Sequence, residues 1–219
     1  MIRTYLYIIL IGLVMVGCNN PDAGKKTEQN SENPGQDISE TPDNNSNTAE
    51  ALAEEIRKLD KKDFRKAGWG MPKDTVKLTE ADDPASEEDS AIIYKCKIAG
   101  MNALLGYVFV DDKLIKGKYM FNQPHVDPNK YITDYNDLKK ALEKKFGKAK
   151  KERQIWANDL YTKFPAEWGK AVELGYLTYL SAWNTKNTEI TLVLKGGNKI
   201  DLWLEYKSKR LANLEKKIK

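Results

Sequence analysis

Between Asn19 and Glu50 the chain holds almost no side chain that a folded core could bury. Ala23, Ile38 and Ala49 are the only apolar residues of this segment besides proline. Most other positions carry Asn, Asp, Glu, Ser, Thr, Pro or Gly, and such a composition cannot offset the conformational entropy that folding costs. The segment is therefore predicted to be a disordered tether, so the hydrophobic core has to come from residues 51–219.

The segment before the tether is typical of an export signal. Arg3 is followed by the almost uncharged apolar run Tyr5–Val16, which is too short to span a bilayer as a mature helix. The run ends in Met15-Val16-Gly17-Cys18, which resembles the bacterial lipobox. The resemblance implies that residues 1–17 are a lipoprotein signal peptide, and that residues 18–50 comprise a lipidated Cys18 followed by the tether.

A lipid on Cys18 would anchor the mature chain to a membrane of the bacterial cell envelope. By resemblance to the Gram-negative sorting signal, Asn19 after the lipidated cysteine points to the periplasmic face of the outer membrane or to the cell surface. With Cys18 lipidated, Cys96 has no partner for an internal disulfide. Cys96 is therefore predicted to be a buried structural thiol.

Charge is divided unevenly along the chain. Acidic residues give Asn19–Glu50 a net charge of −5, which leaves +8 on residues 51–219. Lysines are concentrated in residues 139–151 and 207–219, where apolar residues recur at helical spacing. An exported protein seldom meets nucleic acid, so these tracts are interpreted as solvated helix faces, with anionic lipid headgroups or cell-wall polymer as the alternative contact.

Hydrophobic periodicity predicts an α+β fold of two repeats, about 51–125 and about 130–219, each a helix followed by a three-stranded antiparallel meander. The predicted helices contain Leu52 and Ile56, Pro72–Glu80, Leu138–Phe146, Ala166–Leu174 and, at the C-terminus, Leu211 to Ile218. The predicted strands are Ala91–Ala99, Ala103–Val110, Leu114–Phe121, Tyr176–Asn184, Glu189–Lys195 and Ile200–Lys207. Residues 150–175 are predicted to be a long connection.

Two helix starts carry a resemblance to known repeats. They are Trp69-Gly70-Met71-Pro72 through Val76, and Tyr135-Asn136-Asp137-Leu138 through Phe146-Gly147. Together with the order of elements, they resemble periplasmic lipoprotein domains of the BamE (SmpA/OmlA) kind and the tandem β-lactamase-inhibitor-protein fold. The resemblance spans roughly residues 64–208 and implies a role in protein binding or assembly, without catalytic residues.

No motif of a known enzyme class is present. The chain lacks a Gly-x-Ser-x-Gly elbow, a His-Glu-x-x-His helix, a phosphate-binding glycine loop and a Cys-x-x-Cys pair. His125 is the only histidine, which excludes a multi-histidine metal site, and the acidic loop Asp82–Asp89 lacks the ligand spacing of an EF-hand. The sequence thus predicts no catalytic residue, metal or cofactor.

Strand parity predicts a binding face in the first repeat. Leu104, Val108 and Val110 look like core, which places Tyr107 and Phe109 on the other face. Four lysines are predicted to share that face: Lys95, Lys97, Lys116 and Lys118. In the second repeat, alternating aliphatic residues form the core, while Trp203 falls on the opposite face with Thr191, Asp201 and Glu205.

Two functions fit these observations. The first is a non-enzymatic, lipid-anchored envelope protein that binds a protein or an anionic polymer through aromatic and lysine side chains on a sheet face. The alternative is a cell-envelope hydrolase that uses carboxylates which the sequence does not identify. A shallow aromatic sheet face favours the first function, and a deep cleft with two facing acids favours the second.

Overall fold

The computed structural model describes residues 44–218 except residues 60, 61 and 99. Its helices are α1 (Asn44–Leu59), α2 (Lys73–Lys77), α3 (Asn129–Phe146) and α4 (Trp168–Glu173), with 3₁₀ helices at Pro165–Glu167 and, near the C-terminus, Ala212–Ile218. Its strands are β1 (Ser86–Glu88), β2 (Ala91–Ile98), β3 (Met101–Val110), β4 (Lys113–Phe121), β5 (Lys151–Trp156), β6 (Leu177–Asn184), β7 (Thr188–Lys195) and β8 (Asp201–Ser208).

The described strands form one antiparallel sheet in the order β1-β2-β3-β4-β8-β7-β6-β5. β1 to β4 pair in chain order, as do β5 to β8, and β4 pairs with β8 in the middle of the sheet. There Tyr119 lies opposite Leu204, and Met120 lies opposite Trp203. The first and second halves of the domain therefore share a single sheet, and each contributes four strands.

The predicted architecture of two helix-plus-three-strand repeats is wrong. The six predicted strands exist, but β1 and β5 extend the sheet at both ends, and the β4–β8 pairing makes it continuous. The helix predicted over Pro72–Glu80 is only the five-residue α2, and the predicted C-terminal helix is a 3₁₀ helix.

The two strands absent from the prediction lie at the edges of the sheet. β1 comes from the acidic segment predicted to be a loop, and β5 from the long connection at 150–175. Residues Lys151–Ile155 are all exposed, so β5 has no buried face to produce apolar alternation. Charged side chains on such an edge also discourage pairing with another chain.

Helices cover one side of the sheet, which we call the helix face. Its side chains form the hydrophobic core with α1, α3 and α4, and include Ile92, Tyr94, Leu105, Tyr107, Tyr119, Tyr179, Leu192, Leu204 and Tyr206. From α3 come the buried Tyr135, Leu138 and Leu142. The helix ends at Gly147, whose positive φ of 79° suits glycine, but its ψ of −176° is not that of the predicted left-handed cap.

Helix α1 starts inside the segment predicted to be tether. It begins at Asn44, and Ala49 is buried with Leu52 and Ile56 in the contact between α1 and α3. The folded domain therefore begins before the boundary predicted at residue 50. Ala49, one of the segment's few apolar residues, is spaced so that it lies on the same helix face as Leu52 and Ile56. The predicted signal peptide, Cys18 and the rest of the predicted tether lie outside the described residues.

Gly117 allows an aromatic ring to lie directly on the sheet. A Cβ atom at this position would be 2.0 Å from Cδ1 of Phe64, which is fully buried. The Phe64 ring packs against the rings of Tyr107, Tyr119 and Tyr206 at centroid distances of 5.1–5.4 Å. The loop before α2 is thereby fixed to the centre of the helix face.

Candidate binding face

The aromatic part of the predicted binding face is wrong, because both rings belong to the core. Tyr107 is 0% exposed and Phe109 is 2% exposed. Tyr107 lies opposite Gly117 and packs against Phe64 on the helix face. Its hydroxyl donates a hydrogen bond to the carboxylate of Glu80, which also forms a bidentate pair with Arg65 at 2.8–2.9 Å.

The error arose in assigning the two faces of β3. Val108, assigned to the core by parity, lies opposite Lys116 on the other face, while Tyr107 lies opposite Gly117 on the helix face. Both faces of β3 carry apolar residues, so parity alone could not distinguish them. The side chains on the helix face are Ala103, Leu105 and Tyr107.

The four predicted lysines do share one face, which lies opposite the helix face. Lys116 and Lys118 point there from β4, and Lys95 and Lys97 from β2. We call this side of the sheet the open face. Among the described residues, its other charged members include Glu88, Lys151, Arg153, Glu189, Lys195, Asp201, Glu205 and Lys207. Basic residues outnumber acidic ones on this face.

A band of apolar side chains crosses the middle of the open face. Trp203 in β8 lies opposite Met120 in β4 and Val193 in β7. The band continues to Leu104, which is opposite Met120, and to Leu180, which is opposite Val193. None of these five side chains belongs to the core cluster of the described residues, and Trp203, Met120, Leu104 and Leu180 are half-exposed. Apolar area of this kind on one surface is typical of an interaction site.

Two lysines converge on the indole ring of Trp203. The Nζ atoms of Lys118 and Lys195 lie 4.6 Å and 5.2 Å from the ring centroid. No acidic side chain among the described residues is within ion-pair distance of either ammonium group. Burial lowers the pKa of Lys118, since its half-buried charge has lost water without gaining an ion pair.

A neighbouring pair of lysines on the same face already holds a carboxylate. Glu215, from the C-terminal 3₁₀ helix, accepts a hydrogen bond from Lys116 at 2.7 Å and also pairs with Lys207. Lys116 and Lys207 lie opposite each other on β4 and β8. Burial acts to raise the pKa of Glu215, but hydrogen bonds from the two lysines outweigh it and lower the pKa.

Sequence reasoning placed Trp203 correctly on the face opposite the core but did not join it to the lysines of the first repeat. The residues it missed are Met120, Leu104 and Lys195. The missing information is the β4–β8 pairing, which brings Lys118 beside Trp203 across a long sequence separation. Lysine alternating with small or apolar residues in Lys116–Met120 is the local signal that could have marked this strand.

Other polar groups form contacts within the fold. Nε2 of His125 lies 2.6 Å from Oδ2 of Asp134, and the His125 ring packs edge-on against Tyr131, so this pair fixes the preceding loop to α3. Burial raises the pKa of the half-buried Cys96 to about 11, which keeps the thiol protonated near neutral pH.

A cleft of about 320 Å³ lies along α3. All of its lining residues come from that one helix: Thr133, Asn136, Asp137, Lys139, Lys140 and Glu143. Ligand sites typically combine groups from several elements, as the open face does with β3, β4, β6, β7 and β8. The open face is therefore the stronger candidate.

Within the described part of the chain, no three His, Cys, Asp or Glu side chains are grouped as metal ligands. None of the described helices has the length and apolar character needed to cross a membrane. Comparison with known proteins found no matching family model, no matching curated protein and no matching solved structure. The resemblance to BamE-like and inhibitor-protein repeats stays a prediction, and the function has to be argued from the residues themselves.

Proposed function

We propose that this chain is a lipid-anchored, non-enzymatic protein of the bacterial cell envelope, and that it binds a partner through the open face of its sheet. The observation that carries the proposal is the band of half-exposed apolar side chains centred on Trp203, flanked by Lys118 and Lys195. A rigid indole ring surrounded by polar groups is a common anchor in protein interfaces.

The different roles of the two sheet faces in stabilising the fold support a binding role for the open face. The helix face already supplies a core of buried aromatic and aliphatic residues, so the fold does not need the apolar band of the open face. A half-buried lysine without an ion pair likewise adds nothing to stability and costs desolvation. Features that do not stabilise the domain are expected where it meets a partner.

The location rests on the N-terminal sequence. An apolar run that follows Arg3 and ends at Gly17-Cys18 supports export and lipid attachment. The composition of the following segment supports a tether that holds the folded domain at a distance from the membrane. The partner would then be another component of the envelope.

Site-specific photo-crosslinking in the producing cells tests the binding face. A benzophenone amino acid replaces Met120 on the open face or, as the control, the exposed Asn136 on α3. We expect a discrete crosslinked product from position 120 and none from position 136. Equal crosslinking at both positions, or none at position 120 and at the neighbouring position 104, would contradict a binding role for this face.

Labelling with a radioactive fatty acid tests the anchor. The wild-type chain should incorporate label, whereas Cys18→Ser should remain an unprocessed, unlabelled precursor. Normal labelling of Cys18→Ser would exclude lipid attachment at this residue and leave the binding face untouched.

A further inference from the structure

We infer that the partner presents an acidic extended polypeptide segment, with a carboxylate between Lys118 and Lys195 and an adjacent apolar side chain against Trp203. This inference rests on the proposed function and names the chemistry of the ligand.

The protein's own C-terminal segment shows which group this face accepts. Glu215 reaches the sheet from the 3₁₀ helix, and its carboxylate lies between Lys116 and Lys207, which belong to neighbouring strands. Lys118 and Lys195 are also contributed by the open face, on strands either side of β8. The second lysine pair lies two residues further along β4 and spans β8, with Trp203 between its members, so it offers a carboxylate two ammonium groups beside an indole ring.

The second lysine pair is not neutralised by its neighbours on the sheet. Glu205 lies opposite Lys118, but its carboxylate is 3.5 Å from Nζ of Lys116. Asp201 lies opposite Lys195, but it pairs with Lys199 at 3.2 Å. Two ammonium groups over one indole ring repel each other, and a bound carboxylate would remove that repulsion. Partial burial strengthens such an interaction relative to one in bulk water.

The apolar band favours a polypeptide over a lipid headgroup. Leu104, Met120, Trp203, Val193 and Leu180 form a line across five strands. All but the buried Val193 are half-exposed, so they offer an elongated contact area rather than one pocket for a phosphate. An extended chain places alternate side chains on one side. A segment in which acidic and apolar residues are interspersed can therefore satisfy the lysines and the band together.

Fluorescence anisotropy with the full-length chain in nonionic detergent provides the test. The probe is a short labelled peptide in which aspartate alternates with leucine, and its twin carries asparagine in place of aspartate. We expect the acidic peptide to bind, and its affinity to fall as salt rises. The asparagine twin and the Lys118→Gln, Lys195→Gln double variant should each show binding weakened by about tenfold or more, equivalent to roughly one charge-assisted hydrogen bond.

Lys140→Gln, Lys148→Gln is the matched control, because it removes the same charge from two exposed lysines outside the open face. It should bind the acidic peptide as the wild type does. Thermal unfolding midpoints of both double variants should remain close to that of the wild type, which separates lost binding from lost folding.

The remaining outcomes each overturn the inference in a recognisable way. Equal binding of both peptides, or of both double variants, shows that carboxylates are not recognised at Lys118 and Lys195. Binding only after the acidic residues of the predicted tether are changed to amides shows that the chain's own acidic segment occupies the face, which overturns the assignment of that segment to a partner. Lysine-dependent binding to phosphatidylglycerol vesicles, without binding to the peptide, shows a lipid-surface ligand. Crosslinking from position 120 to a cellular partner would persist in the first case, so a failure of this inference is distinguishable from a failure of the proposed function.

Discussion

A single methyl group added to Gly117 would collide with the buried ring of Phe64. The ring cannot move aside easily, since Tyr107, Tyr119 and Tyr206 surround it. We predict that Gly117→Ala lowers the free energy of unfolding by about 2–3 kcal/mol, the range expected for an overpacked core. Urea denaturation followed by circular dichroism measures the change.

Gly106→Ala is the matched control for this prediction. Gly106 lies on the neighbouring strand but on the open face, where a Cβ atom would meet Cε of Met120 at an ordinary 3.7 Å. We expect this variant to stay within about 0.5 kcal/mol of the wild type. Equal losses at the two positions would show that backbone effects of replacing glycine, rather than the Phe64 contact, dominate at position 117.

At the scale of single residues, exposure also decides which charges matter for stability. Arg65 and Glu80 are largely buried, and their bidentate pair is completed by Tyr107 and Tyr119. Removing either charge would leave the other buried without its partner, which is far more costly than losing an exposed pair. By contrast, removing the charge of Lys118 breaks no ion pair, because the nearby Glu205 pairs with Lys116.

At the scale of elements, strands with one buried face could be predicted from the sequence, and edge strands could not. Alternation in residues 188–208 correctly separated Leu192, Leu202 and Leu204 from Trp203. In β3 the same rule failed, because leucine and valine line one face while leucine and aromatic residues line the other. The pairing of Tyr107 with Gly117, on which the buried Phe64 ring lies, is what places Tyr107 on the core side.

The candidate site on the open face likewise could not be predicted from the pattern of single strands. Each residue of the site lies in a predicted strand. The site forms, however, only because β4 pairs with β8, and α3, β5, β6 and β7 all lie between these two strands along the chain. Local periodicity carries no information about which distant edges pair. The lysines of one half and the tryptophan of the other therefore could not be combined from the sequence.

The C-terminal 3₁₀ helix is the element whose attachment should depend most directly on pH. Lys116 and Lys207 hold the pKa of Glu215 below 4.5, the ordinary value of a glutamate. A carboxylate with a lowered pKa in the folded state stabilises its contact above the ordinary pKa, and that contribution is lost as pH falls through the lowered pKa. We predict that amide hydrogen exchange in residues 212–217 is slow at pH 7, after correction for intrinsic rates, and becomes faster below about pH 4.5.

Glu215→Gln should produce the fast exchange at pH 7 and remove most of its pH dependence. Glu173→Gln is the control, because Glu173 pairs with Lys170 at the exposed surface of α4. Equal protection of residues 212–217 in Glu215→Gln and the wild type at pH 7 would mean that other contacts hold the C-terminal helix on the sheet.

At the scale of the whole molecule, positive and negative charge are concentrated in different parts of the chain. Residues 51–219 carry a net +8, and the preceding Asn19–Glu50 carries −5. Composition alone does not mark where the described fold begins, since α1 begins at Asn44 and buries Ala49. Packing of an apolar helix face, rather than helix propensity, is the usual source of such a helix's stability.

This placement of α1 predicts where the chain can be shortened. Chains that start at Asn19 or at Asp43 should unfold at the same temperature, because both retain all of α1. A chain that starts at Lys62 loses Ala49, Leu52 and Ile56 from the core, and by the area these side chains bury it should lose about 3–6 kcal/mol of stability.

A chain that starts at Ala51 is the informative intermediate. It keeps Leu52 and Ile56 but loses Ala49, the first turns of α1 and the ion pair between Glu50 and Lys144. We expect a loss of about 1 kcal/mol, since an alanine and an exposed ion pair contribute little. Thermal unfolding by circular dichroism compares the four chains. If the chain from Lys62 is as stable as the chain from Asn19, α1 does not contribute to the folded domain, and the boundary near residue 51 expected from composition would have to move towards the C-terminus instead of towards Asn44.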